Sequence, residues 1–134
     1  MPRAPRNRTI TLLDSERKTY QDHLLKIDGP VSLDQILNKV INQDFLEVID
    51  FLPLSFIDLL FVDPPYNLTK TFNTRSFKQV PIKQYMNWIE SWLKEMIKLL
   101  KPTASIYICG DWRSSSTIHL LCEKYFIVRN RITF

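Results

Sequence analysis

The stretch Phe56-Ile57-Asp58-Leu59-Leu60-Phe61-Val62-Asp63-Pro64-Pro65-Tyr66 decides the fold of this chain. Residues 56–62 are almost continuously apolar, which is typical of a strand buried on both faces of a parallel sheet. The strand must end at the prolines, because a proline nitrogen cannot donate a hydrogen bond to a neighbouring strand. The sequence therefore places an acid, two rigid residues and an aromatic ring directly after the carboxyl end of a central strand.

Helix and strand patterns alternate after this strand. A helical repeat of apolar residues begins near Pro81 and ends before Pro102. Residues 104–109 and 125–134 predict two further strands, with a helix over residues 114–124 between them. This order of elements is typical of a parallel sheet with crossover helices. We therefore expect an α/β fold with a partial parallel sheet and flanking helices.

The residues before the central strand predict shorter elements. Ser32, with Gln35 three residues later, forms a capping-box pattern that predicts a helix over residues 32–39. Residues 40–41 then predict a short strand, and residues 44–50 predict one or two helical turns.

Two segments are predicted to lack regular structure. Residues 66–80 are rich in Asn, Thr and Ser and predict a loop. Residues 1–9 contain three arginines and two prolines with little to bury, and they predict a disordered basic arm. Residues 10–134 are then expected to form one domain with a modest core.

The composition is that of a globular protein, with 45% hydrophobic and 24% charged residues. No apolar run is long enough to cross a bilayer, and no apolar stretch follows the basic N-terminus as in a signal peptide. A cytoplasmic protein is therefore expected. Cys109 and Cys122 belong to no zinc-binding or CxxC spacing, so we expect two buried thiols and no metal site.

The residues after the central strand form a rigid, polar edge that suits a flipped nucleobase with an exocyclic amine. Such an amine is a poor nucleophile, so a reaction at its nitrogen needs precise orientation and acceptors for its hydrogens. The Asp63 carboxylate can accept one hydrogen, and a backbone carbonyl of the Pro64-Pro65 unit can accept the other. The Tyr66 ring offers a face on which a flipped base can stack.

Positive charge begins where this motif begins. Residues 1–63 carry 7 basic and 10 acidic side chains, whereas residues 64–134 carry 11 basic and 4 acidic ones. The stretch 66–89 contains four basic residues and no acid. A basic segment beside a base pocket is what phosphate contact requires. The predicted contacts to nucleic acid are Asn67, Lys70, Arg75, Lys78 and Lys83.

The segment 61–67 resembles the catalytic motif of amino-directed DNA methyltransferases, in the version typical of adenine-N6 enzymes. The lead-in to the motif, the helix pattern at 92–102 and the segment 130–133 are also similar to that family, so the resemblance covers roughly residues 39–134. It implies a Rossmann-like methyltransferase fold, double-stranded DNA as the partner and a place in a restriction-modification system. The catalytic residues that it implies are Asp63, Pro64, Pro65 and Tyr66.

The same resemblance implies S-adenosylmethionine as the cofactor. Asp63 and Asp111 both follow predicted strands, so we expect them at the same edge of the sheet, where ligands bind in such folds. Both are candidate cofactor contacts. In permuted members of the family the catalytic motif precedes a glycine-rich cofactor loop, and this chain has only Gly29 and Gly110.

We therefore expect the catalytic half of a methyltransferase, with a complementary C-terminal half or second subunit as a partner. Three alternatives stay open at the level of sequence. The enzyme could methylate cytosine N4 by the same chemistry, or it could act on RNA. The chain could also be a truncated, inactive remnant that binds nucleic acid.

Overall fold

The computed structural model of the protein describes residues 12–72 and 75–133. The predicted arm over residues 1–9 lies outside this part of the chain. The chain divides into two compact units, Met1–Leu52 and Pro53–Phe134. The expectation that residues 10–134 form one domain stays a prediction.

The described part of the first unit, from residue 12 onward, contains α1 at Asp14–Asp22, α2 at Leu33–Ile36 and α3 at Phe45–Val48. A 3-10 turn at Ile49–Phe51 follows α3, so the helical turns predicted for residues 44–50 are confirmed. The sequence patterns missed α1, because this helix buries none of its residues and so has no apolar stripe.

Two predictions for the first unit are wrong in extent. The helix expected over residues 32–39 ends at Ile36, because Asn38 has a φ of 58°, which a right-handed helix cannot continue. Its start is as predicted, since the Ser32 N–H donates to the Gln35 side chain at 2.7 Å. The strand expected at residues 40–41 is reduced to a single bridge between Leu25 and Ile41.

The second unit carries the predicted central strand. Its elements are, in chain order, β1 at Ile57–Val62, β2 at Lys70–Phe72, β3 at Arg75–Phe77, α4 at Ile82–Ile97, β4 at Leu100–Ile108 and α5 at Ser115–Cys122. β1 and β4 pair in parallel, with Val62 opposite Ile108. The Cys109 N–H extends this pairing by donating to the Val62 carbonyl at 2.8 Å. The two strands therefore end together, and the expected α/β arrangement of parallel strands and flanking helices is present.

The core of the second unit lies on one face of the β1–β4 pair. The buried side chains of α4 and α5 are Tyr85, Ile89, Trp92, Leu93, Ile118 and Leu121. Val62, Ile106 and Ile108 pack against them from the sheet. Because alternate strand residues point to opposite faces, one set of sheet residues is covered by these helices.

The opposite face of the sheet is exposed. Leu59 and Phe61 of β1 are 62% and 68% exposed, and Tyr107 of β4 is 47% exposed. The Phe61 and Tyr107 rings stack with their centroids 6.4 Å apart. The expectation that residues 56–62 are buried on both faces is therefore wrong, because the described helices of the second unit, α4 and α5, pack on the other face of the pair.

Three further expectations for the second unit are corrected. The strand predicted over residues 125–134 is absent from its described part, because Tyr125 and Phe126 pack against the helical core instead of pairing. The loop predicted over residues 66–80 contains the antiparallel hairpin of β2 and β3. The strand predicted over residues 104–109 begins earlier, since β4 starts at Leu100 and contains Pro102.

Within the described ranges, no helix is both long and apolar enough to span a membrane.

Candidate active site

A cleft of about 320 Å³ opens at the carboxyl end of β1. Its lining residues are Asp63, Pro64, Pro65, Tyr66, Leu68, Lys70 and Phe77. The first four follow β1 directly, so the end of the strand forms one wall. The hairpin supplies another part of the lining, because Lys70 of β2 lies opposite Phe77 of β3. The structure thus brings all four predicted catalytic residues to one cavity.

The acid and the aromatic ring of the motif interact with each other. A hydrogen bond to the Asp63 carboxylate is the main cause of a raised pKa for the Tyr66 hydroxyl, and burial and the Asp63 charge add to it. Asp63 is exposed to solvent, and the Tyr66 side chain is 37% exposed. The carboxylate therefore remains accessible to a ligand that enters the cleft.

The two prolines between Asp63 and Tyr66 are fixed by contacts with the core of the second unit. Pro64 is buried. The Pro65 carbonyl accepts a hydrogen bond from the Tyr85 hydroxyl at 3.1 Å. Tyr85 lies in the first turn of α4 and is 4% exposed. The helix that follows the motif in sequence thus fixes the backbone of the motif in space.

The end of β4 lies at the same edge. Asp111 accepts a hydrogen bond from the Ser114 N–H at 3.1 Å and another from the Ser114 hydroxyl, so it orders the turn into α5. Gly110 permits this turn to pack closely, since a Cβ there would lie 2.6 Å from Ile118 Cδ1. The Asp111 charge also contributes to the raised pKa of Tyr66, which places Asp111 within electrostatic reach of the cleft.

The predicted contacts to nucleic acid differ in whether they line the cleft. Lys70 lines the cleft, whereas Lys78 and Lys83 are exposed outside its lining. The side chain of Arg75 lies outside the described part of the structure. The Asn67 side chain is occupied by the backbone of Val80, donating to its carbonyl and accepting from its N–H, both at 2.9 Å. Asn67 therefore braces the loop, and its contact with nucleic acid stays a prediction.

Sequence reasoning did not identify four residues of this region: Leu68 and Phe77 in the cleft, and Tyr85 and Ser114 behind it. The pattern of residues 66–80 predicts a loop and gives no position for Phe77. The apolar repeat after Pro81 includes Tyr85 and predicts only that its ring lies in the core. A tyrosine at a core position indicates that its hydroxyl has a hydrogen-bond partner, because buried tyrosines usually have one.

The described residues contain no group of three or more His, Cys, Asp and Glu side chains arranged to hold a metal ion.

Comparison with known proteins places this geometry in context. Residues 57–134 match the model of a family described as DNA methylase. The chain is 35% identical over 97 residues to the Type II methyltransferase M.BamHI of Bacillus amyloliquefaciens, across 72% of this chain and 23% of that protein. It is 30% identical over 97 residues to the DNA adenine methyltransferase YhdJ of Escherichia coli K12, across 71% of this chain and 32% of that protein.

A third relative is the Type II methyltransferase M.BglII of Bacillus subtilis. The chain is 33% identical to it over 93 residues, across 69% of this chain and 25% of the relative. The chain thus spans between 23% and 32% of the length of these three proteins. The matched region contains β1, the cleft and β4.

Proposed function

The chain belongs to the N6/N4 DNA methylase family, and we propose that it supplies the catalytic edge of an enzyme that methylates adenine N6 in double-stranded DNA. The observation that carries this proposal is the shared cleft. An accessible carboxylate, a rigid pair of prolines and an aromatic ring line one cavity of about 320 Å³ at the end of a parallel strand. Ligands of such sheets bind outside the carboxyl ends of the strands.

The cleft residues divide the work of activating an amine. The Asp63 carboxylate accepts one hydrogen of the amine, and a backbone carbonyl of the Pro64-Pro65 unit accepts the other. These acceptors stabilise positive charge that develops on nitrogen, and the fixed φ of proline keeps the backbone carbonyl aimed at the amine. The Tyr66 ring holds the flipped base by stacking once its hydroxyl releases Asp63.

The cofactor proposed is S-adenosylmethionine, which supplies a methyl group activated by a sulfonium charge. The acids at this edge fit it, because Asp63 and Asp111 offer carboxylates to a ligand that carries positive charge on both its sulfonium and its amino group. These two residues are the candidate cofactor contacts in this chain. The expected roles are proximity to the methyl donor for Asp63 and binding for Asp111.

Adenine is the proposed base, because the segment around Asp63 resembles the version of the motif typical of adenine-N6 enzymes and the relative YhdJ is described as a DNA adenine methyltransferase. Cytosine N4 is the alternative, since its amine needs the same two acceptors. A restriction-modification setting agrees with the relatives described as Type II methyltransferases. The cytoplasmic location expected from the sequence stays a prediction.

The proposed partner, besides DNA, is a complementary segment of the same fold. Parallel sheets are nearly always covered on both faces. In this chain Leu59, Phe61 and Tyr107 form an exposed apolar face on the β1–β4 pair. We propose that the complementary segment covers this face and carries the glycine-rich cofactor loop. A downstream reading frame or a neighbouring gene that encodes Phe-x-Gly-x-Gly after a target-recognition region is where it should be sought.

The chain together with this segment, fused or supplied as a second subunit, is called the assembled enzyme below. Incubating it with S-adenosylmethionine labelled in the methyl group tests the proposal. Label should pass to duplex DNA and not to RNA duplexes of the same sequence. Label in RNA alone would assign a different substrate, and no label in either would support an inactive, nucleic-acid-binding remnant.

Binding to DNA should weaken steeply with salt if the basic residues after the motif contact phosphates. Replacing Lys70, Arg75, Lys78 and Lys83 together with alanine should reduce the slope of log K against log salt by about 4, since each phosphate contact contributes about 1. Fluorescence anisotropy of a labelled duplex measures the slope. The matched control replaces four basic residues of the first unit: Arg17, Lys18, Lys26 and Lys39. An equal effect in both variants would show that the contact is not local to the cleft.

Tyr66→Ala should weaken retention of the flipped base by roughly 1–3 kcal/mol, the usual loss for one base–aromatic stack. Tyr66→Phe and Tyr66→Trp keep an aromatic face and should retain much of the activity. Fluorescence of 2-aminopurine at the target position of a duplex measures the flipped population in the assembled enzyme. Tyr20→Ala, at an exposed tyrosine of α1, is the control. A Tyr66→Ala enzyme that flips the base as well as the wild type would remove the stacking role.

A further inference from the structure

We propose that Tyr85 is a positioning residue for methyl transfer, because its hydroxyl holds the proline backbone that presents the amine acceptor. This inference rests on the proposed function. It starts from one contact, the hydrogen bond of 3.1 Å from the Tyr85 hydroxyl to the Pro65 carbonyl. The two residues are 20 positions apart in sequence, so the bond joins the start of α4 to the motif.

The tyrosine is rigidly placed. Its ring belongs to the buried cluster of α4 and α5 and is 4% exposed. It also stacks against Trp88 with the ring centroids 5.7 Å apart. A hydroxyl on so constrained a ring has little freedom, so it defines where the Pro65 carbonyl must lie.

Two residues after β4 lie near the same hydroxyl. The Ser114 side chain is 1% exposed and donates to the Asp111 carboxylate. Burial raises the pKa of Tyr85 and the Asp111 charge adds to this, whereas Ser114 acts in the opposite direction. Asp111 and Ser114, which follow β4, therefore lie close enough to the Tyr85 hydroxyl to affect its pKa.

The consequence for the cleft follows from proline geometry. The ring of Pro65 fixes its φ, and the bond from Tyr85 fixes its carbonyl, so both sides of that residue are set. The preceding carbonyl, that of Pro64, is attached through one rigid peptide plane and is aimed by the same restraint. Because the Pro65 carbonyl faces the Tyr85 hydroxyl of the buried core, we assign the Pro64 carbonyl as the acceptor for the amine. Small misplacements at such a point have large kinetic effects.

The test compares two variants that each remove one hydroxyl from the same unit. Tyr85→Phe keeps the buried ring and removes the bond to Pro65. Tyr125→Phe is the matched control, because the Tyr125 hydroxyl donates to Glu90 at 2.6 Å, outside the lining of the cleft. In the assembled enzyme, Tyr85→Phe should lower kcat by about 10- to 100-fold, the range in which misplaced reacting groups act. The KM values for DNA and cofactor should change little, and Tyr125→Phe should leave kcat near the wild-type value.

A spectroscopic measurement on the chain itself tests the contact without any assay of activity. The peptide bond between Pro65 and Tyr66 is the only Pro–Tyr bond in the sequence. A sample labelled with ¹³C at proline carbonyls and ¹⁵N in tyrosine therefore gives one carbonyl–amide correlation. Its carbonyl shift should move upfield in Tyr85→Phe, as expected on loss of a hydrogen bond, and should not move in Tyr125→Phe.

The outcomes separate the two proposals. An unmoved Pro65 resonance, or equal losses of kcat in both variants, would overturn the role of Tyr85. If the Pro65 resonance moves in Tyr85→Phe but kcat does not change, the hydrogen bond has only a structural role, and the proposed role of Tyr85 in methyl transfer is overturned. A wild-type assembled enzyme that transfers no methyl group would overturn the proposed function, and the positioning role with it, whatever the resonance shows.

Discussion

Replacing Asp63 with alanine should lower the rate of methyl transfer by the assembled enzyme about 10²–10³-fold, the usual loss when one preorganised electrostatic contact is removed. The carboxylate lies at the end of β1 and lines the cleft, where it is placed to accept a hydrogen of the amine. Its removal leaves the amine less well oriented and the developing charge less stabilised. Affinity for DNA should change little, because the side chain acts on the reacting group and not on phosphates.

Asp58→Ala is the control for this variant. Asp58 is an exposed acid of the same strand and forms an ion pair with Lys101 at 2.7 Å. Such a surface pair contributes about 0–1 kcal/mol to stability and lies away from the cleft lining. Initial rates with labelled cofactor at saturating DNA measure the effect. Full activity in Asp63→Ala would refute the catalytic assignment, and an equal loss in Asp58→Ala would point to a general structural defect.

The second large effect concerns stability. Leu121→Ala should lower the free energy of unfolding of the second unit by about 2–5 kcal/mol, because it opens a cavity between α5 and α4. Leu121 is fully buried in the core cluster. The neighbouring Leu120 of the same helix is 59% exposed, so Leu120→Ala should change stability by less than about 0.5 kcal/mol. The two variants make the same substitution in the same helix, and the replaced leucines differ only in burial.

Urea unfolding followed by tryptophan fluorescence measures both variants. The three tryptophans, Trp88, Trp92 and Trp112, all lie in the second unit, so the signal reports on that unit. A midpoint that falls in Leu121→Ala at constant m value indicates lost stability. Equal midpoints for Leu120→Ala and Leu121→Ala would contradict the packing of α5 against α4.

Local patterns were sufficient for the elements that bury an apolar face. The strand at residues 57–62 and the long helix after Pro81 both follow from their own residues. Coverage of the strand was not predictable in this way. Leu59 and Phe61 are as apolar as Leu60 and Val62, yet one face of the sheet is covered by helices and the other is not. Whether an apolar strand residue is buried depends on which elements pack on its face of the sheet. The local sequence of the strand does not contain that information.

The candidate site shows the same limit. Residues 63–66 were identifiable because four consecutive residues carry the chemistry and follow a strand. Tyr85 lies 20 residues beyond its partner Pro65, so only the packing of α4 against the sheet reveals that contact. The strand expected at 125–134 was wrong for a related reason. Its apolar start, Tyr125 and Phe126, packs against the helical core instead of pairing with a strand.

We propose that this cleft directs methyl transfer to the exocyclic amine of adenine. The most direct test incubates the assembled enzyme with S-adenosylmethionine and duplex DNA, digests the DNA to nucleosides and identifies the methylated base by mass spectrometry. The Asp63→Ala enzyme serves as the background control. The expected product is N6-methyladenine, formed only when Asp63 is present. N4-methylcytosine as the sole product would contradict the adenine assignment, and N6-methyladenine formed equally well without Asp63 would contradict the role of the cleft.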